Sequence, residues 1–421
     1  MSRIELSAAA LLDVLRSLLA DELGHLRCLP AHEVHAEQWN HATCISRSQS
    51  AAALSLGADS LERLALATRV TDFFQLRETG VEDYLLRKDS LGEWVELIRL
   101  SRARGSRDLT FQTSGSSGIP SQCDHRWLTL LNEVGHFHAV FTDVLQQPVR
   151  RVIALVPCHH IYGFLFTLLL PDIHQLPVVR GHQALQLVMQ RQLQPGDLLV
   201  GHPFIWAQIS RSGKVFPAGV MGLTSTGPAD PAVLEALLAQ QLGNITEIYG
   251  ATETAGVGYR LHHQQPFTLL PRWQRDAHHP ASLLDASMQN APAVCLPDHL
   301  QWFDERHFCP IGRKDHAVQV GGINVFPRQI EQWLESLPEV ASARVRLMTP
   351  AEGQRLKAFI VPENPLQPLD ELSELLQQRC EQHLAAVERP RHFSFGDVLP
   401  AGAYGKAADW PIQPQNRERY A

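Results

Sequence analysis

Apolar residues recur at helical spacing between positions 7 and 23, through Leu11, Leu12, Leu15, Leu18, Leu19 and Leu23. That period predicts an amphipathic helix with one buried face. A polar stretch of about thirty residues follows and reads as loop. A second helical pattern spans 60–76, and after Gly80 another helix-like segment ends near Leu100. The polar run RARGSRD at 102–108 breaks the pattern and marks a boundary. From 109 the character changes. The short apolar runs RVIALVP (151–157), GDLLVG (196–201) and ITEIYG (245–250) alternate with helical stretches such as PAVLEALLAQQL (231–242). Such alternation predicts an α/β architecture with parallel strands. The last hundred residues carry a helix at 327–336, strands at 341–348 and 357–362, and a helix at 368–386. They read as a small α+β unit of their own.

At 421 residues the chain is long enough for two or three domains. Apolar residues make up 44% and charged residues 19%, the balance of a soluble globular protein. A formal charge of −7 argues against nucleic acid as the main partner. The longest apolar run, Phe164 to Leu170, falls far short of the roughly 20 residues a bilayer requires, so no membrane span is expected. Acidic residues interrupt the apolar pattern at the N-terminus, which therefore reads as a helix and not as a cleaved leader. The seven cysteines are scattered without a CxxC pair, the usage of reduced cytoplasmic thiols. The 21 histidines include three HH pairs, none at metal-site spacing.

The segment LTFQTSGSSGIPSQ (109–122) sets a strand-like entry before Thr113, Ser114, Gly115, Ser116, Ser117 and Gly118. Small residues let the backbone curl so that its N–H groups face an anion, and the hydroxyls add donors. The run lacks the lysine of a P-loop NTPase. Four further segments follow in order: PCHHIYGF (157–164), EIYGATET (247–254), Gly312-Arg313-Lys314-Asp315 with QVGGINVFPRQIE, and LPAGAYGK (399–406). With the first loop they resemble the ordered motifs of the adenylate-forming superfamily of acyl-CoA ligases, peptide-synthetase adenylation domains and luciferases, over about residues 109–421.

That resemblance implies roles. The loop 113–118 would cradle ATP phosphates. Tyr249 would stack on adenine, with Gly250 beside it, a flat ring against a flat base. Thr252 would lie beside the α-phosphate, and Glu253 would hold Mg²⁺ with phosphate oxygens. Asp298 would accept the ribose hydroxyls, although LPDHL lacks the family's usual TGD. Arg313 would contact ribose or phosphate, and Asp315 would mark a hinge. Lys406 would bridge carboxylate and α-phosphate, neutralising charge in the transition state. His160 would gate the acyl pocket or the thiol tunnel. Two departures stand out: Ser121-Gln122 replaces a lysine common after the phosphate loop, and Gln319 stands where lysine is common after the hinge.

The front of the chain is unusual for this family, because the phosphate loop starts at 113. LGADSLERLALATRVTDFF (56–74) resembles an acyl carrier protein, whose matching serine, Ser60, would bear 4'-phosphopantetheine. Leu61, Leu64, Leu66, Val70 and Phe73 would then face a small helical core. A shortened family N-terminus, as in phenylacetate–CoA ligases, is the alternative. The expected layout is a carrier-like helical domain over 1–103, a large α/β ATP-binding adenylation domain over 109–312, and a small mobile α+β C-terminal domain over 313–421. The expected activity is ATP- and Mg²⁺-dependent conversion of a small carboxylic acid to its acyl-adenylate, then transfer to a phosphopantetheine thiol of an acyl carrier protein. An aryl acid such as a hydroxybenzoate is favoured by the aromatic and histidine residues of PCHHIYGFLF and VGHPFIW. Alternatives are an aryl-CoA ligase using free CoA, and a non-catalytic carrier or scaffold protein. Lys406, Glu253 and Arg313 argue against the last.

Overall fold

The structure is a computed structural model that describes residues 5–29, 34–47, 54–105, 107–112, 121–276, 278–279, 282–287, 293–315, 317–321, 323–349, 352–353, 355–400 and 409–412. These fall into two compact units. The first takes the chain to 112, then 121–296 and 300–309, and the second takes 297–299 and the described residues from 310 onward.

The first unit is built on a nine-stranded sheet. Val178–Val179, Arg151–Ala154, Asp197–Gly201, Met221–Thr224 and Asn244–Ala251 lie side by side in parallel. Their apolar runs fit strands buried on both faces. From Asn244–Ala251 the sheet continues antiparallel through Ala255–Arg260, Phe267–Leu269 and His307–Arg313. Asp298–Trp302 forms its edge. The helices Gly181–Gln190, Pro203–Ser210 and Pro231–Ala239 pack into one hydrophobic cluster with Ile153, Leu199 and Ile245. The other face carries a larger core, which holds Leu198, Val200 and Leu223 together with the helix Trp127–Leu145 and the helical stretch from Ile161 to His174.

The front of the chain belongs to that larger core. Ser7 caps the helix Ala8–Arg27 by accepting from the Ala10 amide. All six leucines of the sequence pattern are buried. The helix Ser60–Phe74 opens with a capping box between Asp59 and Glu62. It buries Leu66, Val70, Phe73 and Phe74 against the same core as Phe111 and Phe164. A separate helical domain over 1–103 is therefore not what the fold contains. Leu61 and Leu64, expected in a carrier-like core, are 77% and 50% exposed. The loop expected after the first helix contains a parallel pair of short strands, Cys44–Ser46 and Ser55–Ala58. The polar run at 102–108 is no linker either. Arg102 is buried, lies 4.5 Å over the Trp127 ring and donates to the Arg107 carbonyl at 2.9 Å.

The second unit has a three-stranded sheet in which Leu356–Pro362 pairs antiparallel with Val340–Leu347 and parallel with His392–Phe395. The helices Pro327–Glu335 and Leu369–His383 pack their Ile330, Leu334, Leu372 and Leu376 against it. Both helices and the first two strands lie within a few residues of their sequence-predicted positions.

Phe73 joins the front helix to Phe111 at 5.1 Å and Phe164 at 6.1 Å between ring centroids. Phe73→Ala is expected to cost about 3–5 kcal/mol. Chemical denaturation should show the front segment and the sheet unfolding in one transition. A separate early transition confined to the front would contradict the shared core.

Candidate active site

In an open parallel sheet, ligands meet the loops that leave the carboxyl ends of the strands. Here Arg151–Ala154 leads to Pro157–His160, Asp197–Gly201 to His202, Met221–Thr224 to Ser225 and Thr226, and Asn244–Ala251 to Thr252 and Glu253. Three of the sequence motifs or their neighbours thus converge on one rim. Thr224 Oγ1 is buried with no hydrogen-bond partner among the described residues. Ser225 donates to the Ile248 carbonyl at 2.9 Å, and Thr226 holds φ at 75°, a strained value for a β-branched residue. Sequence reasoning passed over this Thr-Ser-Thr-Gly turn. Its only signal was a short small-residue run directly after a strand.

The EIYGATET segment forms a tight turn between two antiparallel strands. Tyr249 is half-buried, with its ring 5.5 Å from Phe308 and 5.9 Å from Phe267. A Cβ on Gly250 would lie 2.2 Å from the Ala255 carbonyl oxygen, so only glycine fits. Thr254, fully buried, closes the turn by accepting from the Ala251 amide at 3.1 Å and donating to the Ala255 carbonyl at 2.9 Å. Thr252 and Glu253 project from a turn fixed on both sides, and Glu253 is exposed.

The phosphate loop's six predicted residues, Thr113 to Gly118, lie outside the described residues, but its stalk does not. Leu109–Gln112 pairs antiparallel with Gln122–His125, with Gln112 opposite Gln122. His125 Nε2 donates to the Thr252 carbonyl at 2.6 Å. A carbonyl only accepts, so the ring carries its proton on Nε2. Burial lowers the His125 pKa and keeps the ring neutral. Burial and then the charges of Glu253 and Asp124 push the Cys123 thiol up to about 11. Sequence reasoning missed His125 and Cys123, whose roles depend on contacts between distant segments, and Thr254, whose contacts lie within its own turn.

The front helix braces this stalk. Gln75, at its left-handed C-cap, donates to Thr110 at 3.0 Å and Asp124 at 3.2 Å, and Gln122 donates to Asp72 at 3.3 Å. Within PCHHIYGF, a Cβ on Gly163 would lie 1.9 Å from the Pro157 carbonyl oxygen. Tyr162 donates to the Gly201 carbonyl at 2.9 Å. His159 is buried, bonds Ser17 at 2.7 Å through Nδ1 and is lowered to about 3 by burial. His160 is exposed. Desolvation and then the neighbouring His159 lower its pKa too.

In the second unit, Asp298 begins an edge strand. Arg313 makes a bidentate pair with Asp315, at 2.8 and 2.5 Å. That pair holds the Asp315 carboxyl below its usual range. Gln319 donates to Asn324 at 3.1 Å across its hairpin. Lys406 lies outside the described residues.

The AMP-binding enzyme C-terminal domain family matches residues 329–406. A 4-coumarate–CoA ligase of Halorhodospira halophila is 37% identical over 401 residues, which cover 95% of this chain and 99% of the relative. The chain belongs to the adenylate-forming superfamily. It is an ATP-dependent, AMP-forming acid–thiol ligase. A 4-coumarate–CoA ligase of Rhodobacter capsulatus is 38% identical over 84% of this chain and 90% of its own. o-Succinylbenzoate CoA synthetase of Bacillus subtilis aligns with a TM-score of 0.55 at 17% identity, over 94% of this chain and 91% of the other. An amide bond synthetase of Marinactinospora thermotolerans also scores 0.55, at 15% identity over 94% and 92%. These two show the fold alone.

The residues at the rim fit an adenylating ligase. Thr224 Oγ1 offers an unsatisfied hydroxyl at a strand's carboxyl end. Glu253 is a lone exposed carboxylate, and no cluster of three metal-ligating side chains occurs among the described residues. One carboxylate is a suitable protein share for Mg²⁺ that takes its other ligands from phosphates and water.

Behind the turn, Glu133 is buried and accepts from the Gly256 amide at 2.9 Å. Burial pushes its carboxyl from 4.5 up to about 7, against the opposing pull of Arg272. The native state then holds a proton that the unfolded chain has released, so stability falls as pH rises from 4.5 through 7. Glu133→Gln keeps the acceptor and removes the titration. Denaturation midpoints across that window should flatten in the variant and exceed wild type above it; a parallel pair of profiles would refute the assignment. His125→Ala should cost about 1–3 kcal/mol by stranding the Thr252 carbonyl. It should also slow pyrophosphate exchange, while KM for ATP and stability changes alone would point to a purely structural role.

Proposed function

We propose that this ligase activates an aryl acid of the 4-coumarate type as its acyl-adenylate and transfers the acyl group to free CoA. The observation that carries the adenylation step is the His125–Thr252 hydrogen bond, which ties the phosphate-loop stalk to the turn bearing Thr252 and Glu253. The acid and acceptor are supported by the likeness to the two 4-coumarate–CoA ligases. His202, with a buried Nδ1 unpartnered among the described residues and a pKa lowered by burial, offers a neutral imidazole on the same rim. A phenolic hydroxyl is a suitable partner for such a group.

In the first half-reaction a carboxylate oxygen attacks the α-phosphorus, the bond to the bridging oxygen breaks, and pyrophosphate leaves. Lys406 offsets the charge gathered there, with the loop 113–118 on the phosphates, Tyr249 and Gly250 on adenine, and Asp298 and Arg313 on the ribose side. Glu253 would hold Mg²⁺, which would supply further neutralisation of the phosphates. In the second, the CoA sulfur attacks the acyl carbonyl, AMP leaves, and the thiol proton passes to solvent. His160 lines the approach, and rotation at Asp315 exchanges the Lys406 face for a thiol-accepting one.

The carrier-protein acceptor and the modified Ser60 lose support. Ser60 is exposed at the first turn of its helix, yet that helix is part of the ligase core. An alignment covering 95% of the chain leaves about twenty residues outside it, so most of the front segment aligns with a CoA ligase.

Pyrophosphate exchange should respond to 4-coumarate with ATP and Mg²⁺, and Lys406→Ala should lower it on the order of 10²–10³-fold. Silence with 4-coumarate but a response to fatty acids would overturn the acid assignment. Intact mass after co-expression with a phosphopantetheinyl transferase should stay unchanged; a gain at Ser60 would overturn the free-CoA reading.

A further inference from the structure

We propose that Lys357, Glu352 and Asp409 form a buried ionic latch that positions the segment carrying Lys406. The inference rests on the adenylation role given to Lys406 above.

Lys357 sits on the strand Leu356–Pro362 with its side chain fully buried. Its ammonium donates to both Glu352 oxygens at 3.1 and 3.0 Å and to the Trp410 carbonyl at 2.6 Å. It also lies 3.1 Å from Asp409 Oδ1. Glu352 in turn accepts from the Ile412 amide at 3.2 Å and from the Thr349 amide and hydroxyl at 2.9 and 3.1 Å. Trp410 is buried edge-on against Phe359 at 5.6 Å, and the ammonium stands 5.2 Å from the indole centroid. A buried ammonium needs opposite charge and full hydrogen bonding, and this one has both.

Among the described residues, Lys357 grips the C-terminal segment at Asp409 and Trp410. Asp409 follows Lys406 by three residues, so extended backbone limits their Cα separation to roughly 11 Å. The other end of the segment leaves the strand His392–Phe395, whose His392 stands opposite Lys357 in register. The strand thus anchors one root of the Lys406 segment and the latch anchors the other. A merely stabilising pair would gain little here, because ordinary apolar packing could replace it at no loss. Directional bonds to a backbone carbonyl and a backbone amide fix where the chain runs.

The test uses full-length protein and separates the two half-reactions: pyrophosphate exchange with 4-coumarate, and thioester formation from synthetic coumaroyl-adenylate with CoA. Asp409→Asn, a change at a half-exposed carboxylate, and Lys357→Met should each slow exchange on the order of tenfold or more. Thioester formation should change less than about twofold, because Lys406 acts in adenylation alone. Lys357→Arg should recover part of the exchange. Equal losses in both half-reactions would reduce the latch to general support of the second unit and overturn the proposal, as would unchanged exchange in Asp409→Asn. Lys406→Ala, run alongside, separates the two readings. If it abolishes exchange while the latch variants match wild type, the latch alone fails. If it leaves exchange intact, the role of Lys406 fails and takes the latch with it.

Discussion

The packing of Phe111 against Phe73, Phe164 and His125 is the contact on which the first unit's site depends. The proposed phosphate loop is carried on the hairpin Leu109–Gln112 and Gln122–His125, its stalk. Phe111 is the stalk's buried aromatic from its first strand, and edge-to-face contacts of 5.1 to 5.7 Å bind it to the front helix, the PCHHIYGF helix and its own hairpin partner. From that cluster the constraint passes outward through His125 to the Thr252 carbonyl and through Gln75 to Thr110. The front hundred residues thereby acquire a function that no catalytic motif in them announces: they carry the wall against which the phosphate stalk is pressed.

Electrostatics around the rim follow from the same burial. His125, His159 and His202 are all shifted toward the neutral form by desolvation. Neutral imidazoles hydrogen-bond without adding cations beside the place where an anionic acid and a triphosphate must meet. That neutrality would leave charge compensation to the cationic groups proposed for the reaction, Lys406 among them. Glu133 extends the pattern, since a carboxyl near 7 behind the turn is partly neutral at physiological pH and still accepts from Gly256.

The sequence made the motifs legible because each is local. Gly163 and Gly250 are demanded by backbone atoms a few residues away, and the second unit's helices and first two strands follow their own apolar periods. Contacts between distant segments were not legible. An amphipathic helix declares that one face is buried without saying against what, so 1–103 read equally well as a self-contained bundle or as part of a larger core. Leu61 and Leu64 show the error at residue level, since a leucine in the period need not be inside. Arg102 and Lys357 show the converse. Charged residues read as surface or linker, yet one stacks on Trp127 and the other is fully enclosed by its partners.

The two units hold their functional segments by different forces, and the difference suits their tasks. Aromatic packing fixes the phosphate stalk over a broad area but tolerates small slips, because dispersion is non-directional. That would suffice for a loop that binds, as proposed, through many weak donors. A single lysine charge is less forgiving. Two unit charges at an effective dielectric of 20 interact by about 4 kcal/mol at 4 Å and about 3.3 kcal/mol at 5 Å. The difference of about 0.8 kcal/mol is roughly fourfold in rate for each ångström of drift. An ammonium that grips a carbonyl and two carboxylates cannot slip by an ångström without losing bonds of its own. Directional ionic contacts would therefore be the suitable restraint for a segment that places one charge, the role proposed for Lys406.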